Sequence, residues 1–245
     1  MYRLPLLFLT LLCTCVLAES SAQTTPKALI GAWESSFLLP DGGRGKLSMT
    51  IADDYMSMVA YRPKTGEFLS TLGGRYRADT RTFSVTLDYD SSDSTQVGGV
   101  LAIPYTLTGR ILMFNGDKVW TRVDDGKKPG ALAGAWQIVG RKVDGTMQDL
   151  TANLDGSRKT IKILSGKRFQ WIAFDVDSRR MIATGGGTYT TNKDGLYREK
   201  IEFFSKDPEK VGRMLSFDYS LRDGDWVHRG QSTTGKPVHE VWRKR

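Results

Sequence analysis

Cysteine is almost absent. The 245-residue chain has two, Cys13 and Cys15, both inside the apolar stretch from Leu4 to Leu17. If that stretch is removed, disulfides, thiolate catalysis and cysteine-based metal sites are excluded, and the rest of the chain must be held by its core. Histidine is nearly as scarce, with His228 and His239 alone. A transition-metal site would therefore rest on carboxylates, and neither metal nor cofactor is expected. No run of apolar residues is long enough to span a bilayer as a helix. No segment of helical length carries a 3.6-residue period with caps at both ends; Asp207-Pro208-Glu209-Lys210 offers one turn. No glycine loop precedes a helix to cradle phosphate, and no nucleophile-elbow pattern occurs.

Met1-Tyr2-Arg3, the apolar run and the small residues Ala18, Ser20, Ser21 and Ala22 have the layout of a secretory signal peptide. Cleavage is expected after Ala22, giving a secreted or periplasmic protein. A lipid anchor on Cys13 or Cys15 is the rival, although neither follows a small residue as lipoprotein cysteines do. The net charge of +8 is spread along the chain, with one short cluster, Arg243-Lys244-Arg245. Nucleic-acid binding calls for a denser basic stripe and is not expected. Attraction to anionic glycans or lipid headgroups remains open.

An internal repeat organises the rest. Leu29-Ile30-Gly31-Ala32-Trp33 returns as Leu132-Ala133-Gly134-Ala135-Trp136, and Gly73-Gly74-Arg75-Tyr76 returns as Gly186-Gly187-Thr188-Tyr189. Val59-Ala60-Tyr61 matches Ile172-Ala173-Phe174, Leu101 and Tyr105 match Leu215 and Tyr219, and Trp120 matches Trp242. Through the middle of each unit, from Val59 to Tyr105, the spacing holds at 113 to 114 residues, and it widens to 122 at the terminal Trp. The pattern divides the chain into a signal peptide (1–22), a first domain (27–124), a linker (125–130) rich in Gly, Pro and charge, and a second domain (131–245). Alternating stretches such as Phe83–Tyr89 and Met214–Leu221, separated by turn sequences such as Asn115-Gly116-Asp117, read as strands. About eight antiparallel strands per copy predict an all-β protein of two tandem up-and-down barrels. Closure removes the unpaired edges, and the Gly-Gly pairs let the sheet bend. Two packed sheets per copy are the alternative.

Each copy opens on Gly-x-Trp and ends on a strand with Trp and basic residues, Trp120-Thr121-Arg122 and Trp242-Arg243-Lys244. This resembles the lipocalin and fatty-acid-binding-protein (calycin-type) arrangement. That resemblance implies a first-strand Trp closing the barrel base against an Arg of the last strand. In residues 130 to 245, Phe169-Gln170-Trp171, Gly185-Gly186-Gly187-Thr188-Tyr189-Thr190, Glu199-Lys200-Ile201-Glu202-Phe203 and Glu240-Val241-Trp242 resemble bacterial exported lipocalin-like domains of unassigned function. The resemblance implies a barrel with capacity for a small ligand. It brings no catalytic residues, and the first copy departs from it at most polar positions.

Comparison of the copies suggests where function lies. Alternation places Phe169, Trp171 and Ala173 on one face, then Tyr197, Glu199, Ile201 and Phe203, then Arg213, Leu215, Phe217 and Tyr219, then Trp226 and His228. At matching positions the first copy has Met58 for Trp171, Val85 for Glu199, Leu112 for Trp226 and Phe114 for His228. The fold can therefore fill those positions with carbon, and burying a carboxylate or imidazole is costly without compensating partners. Trp171, Tyr219 and Trp226 are expected as walls of a binding site, and Glu199, Arg213 and His228 as its polar contacts. The structural alternative pairs Glu199 with Arg213 or Lys200 and leaves His228 in water at the mouth. Three functions follow. The first is a non-catalytic binder of a small, partly apolar ligand. The second is an envelope accessory protein that contacts glycan or protein through its surface. The third is an isomerase or hydratase using Glu199 and His228 as acid and base.

Overall fold

The computed structural model describes residues 27–127 and 131–245. The expected signal peptide, 1–22, and part of the expected linker lie outside the described residues. The first eight strands are β1 (Gly31–Leu38), β2 (Arg44–Ala52), β3 (Tyr55–Tyr61), β4 (Phe68–Ala78), β5 (Thr82–Asp90), β6 (Val100–Thr108), β7 (Ile111–Phe114) and β8 (Lys118–Asp124). Each pairs antiparallel with the next, and β8 returns to β1 to close the barrel. The second copy comprises β9 (Gly134–Val143), β10 (Thr146–Asp149), β11 (Arg158–Leu164), β12 (Arg168–Asp175), β13 (Arg180–Thr191), β14 (Leu196–Phe204), β15 (Met214–Arg222), β16 (Asp225–Gln231) and β17 (Pro237–Lys244). Here β17 pairs with β9 to close eight strands, and β10 is an added hairpin arm on β9. Two closed eight-stranded antiparallel barrels stand in tandem, as the repeat predicts.

The repeated motifs acquire physical reasons. Gly31 and Gly134 hold φ of 127° and 144°, where a side chain is strained. A Cβ on Gly31 would also meet the Asp124 carbonyl oxygen at 2.1 Å. The Trp two positions on is buried, and its Nε1 donates to the carbonyl four residues back, Trp33 to Leu29 and Trp136 to Leu132, both at 2.9 Å. A last-strand cation covers each indole, Arg122 at 4.0 Å over Trp33 and Lys244 at 5.8 Å over Trp136. The Gly-Gly pairs mark bulges. The register shifts between Gly73 and Gly74, and again between Gly186 and Gly187. A Cβ at Gly74 or Gly187 would sit 1.9 or 2.0 Å from the carbonyl oxygen of Thr86 or Lys200.

The barrels pack against each other through equivalent faces. Tyr61 meets Phe203 at 5.1 Å between ring centroids, and its mirror contact, Phe174 on Tyr89, measures 5.0 Å. The ladder registers make Tyr61 the counterpart of Phe174 and Tyr89 the counterpart of Phe203. This is the geometry of an isologous two-fold interface inside one chain. At its centre Ser57 donates to Gln170 Oε1 at 2.6 Å, and Gln170 Nε2 donates to Thr71 and Thr184 at 3.0 Å each. Ile161, Ile163 and Ile172 of the second barrel join Ala52, Tyr55 and Tyr89 of the first in one buried cluster. Arg168, 4% exposed, reaches Tyr61, Glu202 and Glu34. Asp124, at the end of the first barrel, accepts from Ser165 Oγ and from the backbone N–H groups of Gly166 and Lys167. Apart from Arg245 Nη1, which is buried without a hydrogen-bond partner among the described residues, the buried polar groups named here are paired, which makes the interface specific.

The sequence places Phe203 inside the barrel. The bulge opposite Gly186 and Gly187 reverses that assignment: Phe203 points to the first barrel, and Phe204 turns inward onto Trp171, ring centroids 5.5 Å apart.

Candidate functional site

The second barrel encloses a cavity of about 410 Å³, open at one end. Its walls come from all eight strands of the barrel, because residues of β9 and of β11 to β17 converge there. Three expected residues line it: Trp171, Glu199 and His228. Gly185 lets Trp171 lie against the wall, since a Cβ at Gly185 would stand 2.9 Å from the indole nitrogen. In the first barrel the corresponding pair is Met58 and Leu72.

Glu199 is 4% exposed and bound on one oxygen only. Lys162 Nζ donates to Oε1 at 2.5 Å, and the Tyr197 hydroxyl donates to the same atom at 2.7 Å. Pairing with Arg213 or Lys200, the alternative read from the sequence, does not occur. Lys162 is the decisive residue that the sequence reading missed. Its ammonium, itself 5% exposed, sits among Tyr197 and Trp226 at 5.2 Å, Phe169 at 5.5 Å and Trp242 at 5.7 Å from the ring centroids. A desolvated cation is stabilised by such faces as well as by its carboxylate. The Trp136–Lys162 pairing matches Trp33–Met49 in the first barrel. Three carbon side chains, Met49, Val85 and Phe114, are thus replaced by Lys162, Glu199 and His228.

His228 is 2% exposed, not in water at the mouth. It stacks on Phe217 at 4.0 Å and meets Tyr197 and Trp226 edge-on. Burial, and next the charge on Lys162, hold its pKa well below the ordinary 6.5, so the ring is neutral at neutral pH. Its Nδ1 is buried with no hydrogen-bond partner among the described residues.

The other three expected residues stand off the cavity. Trp226 is fully buried as its floor, packed between His228 and Trp136. Tyr219 donates to the Asn192 carbonyl oxygen at 3.3 Å, on the far side of that floor. Arg213 precedes β15 and turns outward, where Nη1 braces the Thr233 carbonyl oxygen at 2.7 Å. It supports the mouth rather than touching the interior. At the mouth, Arg141 pairs with Glu240 at 2.9 Å, and Arg158 is exposed without an ion partner among the described residues.

Residues 131–245 match a family model described as a domain of unknown function (DUF4488). The match coincides with the barrel that holds the cavity. No curated protein matches the chain.

Proposed function

We propose that the chain is an exported, lipocalin-like binding protein whose second barrel holds a small, partly apolar ligand without transforming it. The first barrel is its scaffold. The supporting observation is the contrast between equivalent layers. The first barrel fills this layer with Met49, Val85 and Phe114 inside its core. The second surrounds a cavity of about 410 Å³ with Lys162, Glu199, His228 and aromatic walls. Pockets for small molecules run from roughly 300 to 1,000 Å³ and combine apolar walls with a few convergent polar groups. A buried ion pair is weak support for stability, so its presence where carbon suffices favours a binding role. The signal-like N-terminal sequence and the resemblance to calycin-type domains support the same reading. Trp171, Glu199 and His228 touch the ligand, Trp226 and Tyr219 shape the floor, and Arg213 steadies the mouth.

The test is native mass spectrometry of the protein purified from the compartment to which it is exported. A small molecule should accompany the wild type and be lost from Lys162→Met/Glu199→Val/His228→Phe. A ligand-free wild type that also binds no amphiphilic probe in solution would overturn the proposal.

A further inference from the structure

The unused hydrogen-bonding capacity of the cavity describes its ligand. This step rests on the reading that the second barrel takes a small molecule. Lys162 and Glu199 are opposite charges in contact at 2.5 Å, so the deep end carries no net charge. It is therefore not an anion trap. The remaining N–H groups of Lys162 lie among four aromatic faces and Trp226 Nε1 is sealed from the cavity, which leaves two atoms there that can face a ligand without a hydrogen bond of their own among the described residues. Glu199 Oε2 accepts no hydrogen bond, since both donors go to Oε1. His228 Nε2 makes none either and, unlike Nδ1, is not sealed from the cavity. A buried N–H without an acceptor is rarer and costlier than a buried lone pair. The proton of the neutral ring accordingly belongs on Nε2, which leaves Nδ1 as the silent lone pair. The deep end then offers one acceptor, Glu199 Oε2, and one donor, His228 Nε2–H. Between floor and mouth the wall is Trp171, Ile201, Phe204, Leu215 and Phe217. At the mouth stands Arg158, a cation with no carboxylate of its own among the described residues.

We infer that the second barrel binds an amphiphile lying head-outward: an anionic group at Arg158, an apolar body along the aromatic wall, and a hydroxyl at the far end that donates to Glu199 and accepts from His228. The hydroxyl is the simplest group that donates and accepts at one atom. An anion at the floor would meet the Glu199 carboxylate, and a bare methyl would leave both polar atoms unpaired.

The experiment is isothermal titration of the full mature chain with four ten-carbon probes: decanoate, 10-hydroxydecanoate, 10-methoxydecanoate and 1,10-decanediol. The hydroxy acid should bind at least about tenfold more tightly than decanoate, the scale of a hydrogen bond to a charged group. The methoxy acid, which cannot donate, should lose that advantage in the unaltered protein. Lys162→Met/Glu199→Val/His228→Phe, checked for folding by circular dichroism, should bind decanoate at least as well as the hydroxy acid. Arg158→Gln should weaken both acids several-fold and leave the diol unchanged. Equal affinities for decanoate and the hydroxy acid, or a methoxy acid that binds as tightly as the hydroxy acid, would overturn the inference and leave the binding proposal standing. Failure of all four probes to bind would overturn both.

Discussion

The two barrels share strand order, the bulges at the paired glycines, the Gly-x-Trp opening and the base cation, yet one interior is an uncharged, mainly apolar core and the other holds an ion pair and an imidazole. Because the same fold is made both ways in one molecule, the polar layer of the second barrel is not a requirement of closure. The first barrel serves as an internal control for the polar layer of the second.

The largest effect should come from removing half of the ion pair. Lys162→Met supplies the first barrel's residue but strands Glu199 with only Tyr197 as donor. Loss of one partner of a buried pair costs about 3–5 kcal/mol, read from urea denaturation. A drop below about 1 kcal/mol would mean that Glu199 is solvated through the cavity.

Next is the joint between the barrels. Gln170→Leu removes three side-chain hydrogen bonds and leaves the buried Ser57 hydroxyl without its acceptor, while Thr71 and Thr184 keep their bonds to the Met58 and Trp171 carbonyl oxygens. We expect a loss of roughly 1–3 kcal/mol and two separate unfolding transitions by calorimetry where the wild type shows one. A single unshifted transition would show that the apolar contacts alone couple the barrels.

A third test uses pH. His228 is neutral in the fold because burial and Lys162 depress its pKa below 6.5. The unfolded chain gains a proton as pH falls through 6.5 and the native chain does not. The wild type therefore keeps its full stability above that pH and loses it below, by up to about 1.4 kcal/mol per pH unit. His228→Phe should flatten this slope, and Phe114→His should introduce a similar one in the first barrel. Parallel pH profiles for wild type and His228→Phe would contradict the burial of the ring.

The smallest effect concerns the bases. Arg122 stacks on Trp33 and also donates to the carbonyl oxygens of Ile30 and Ala28, whereas Lys244 covers Trp136 from farther away. Arg122→Ala should cost about 2 kcal/mol and Lys244→Ala about 0.5 kcal/mol. Equal losses in thermal melts would mean that the stacking geometry is immaterial.

The fold was legible because closure repeats the same local signals twice: Gly-x-Trp, paired glycines at bulges and alternating strands. The site was legible in part. Glu199, His228 and Trp171 stood out as departures from the first copy. Lys162 did not, for two physical reasons. Trp33 and Trp136 are 103 positions apart but Val59 and Ile172 are 113 apart. The β10 arm and the turn after it absorb the difference and hide the match of Lys162 to Met49. In β11, moreover, the apolar residues Ile161 and Ile163 face outward, because the first barrel covers them. Alternation alone therefore points the wrong face inward. Phe203 misled for the same reason, compounded by its bulge. Arg213 lies one position before its strand begins, where the inward alternation no longer applies.

The central claim is that the polar layer of the second barrel exists for a ligand and not for the fold. The most direct measurement is chemical denaturation of Lys162→Met/Glu199→Val/His228→Phe beside its binding of an amphiphilic probe. Replacing a buried ion pair wholesale by carbon is neutral or stabilising by about 1–4 kcal/mol in other proteins. The account predicts a variant at least as stable as the wild type that no longer discriminates between decanoate and its hydroxylated form. A variant that is clearly less stable and binds with an unchanged profile would contradict it.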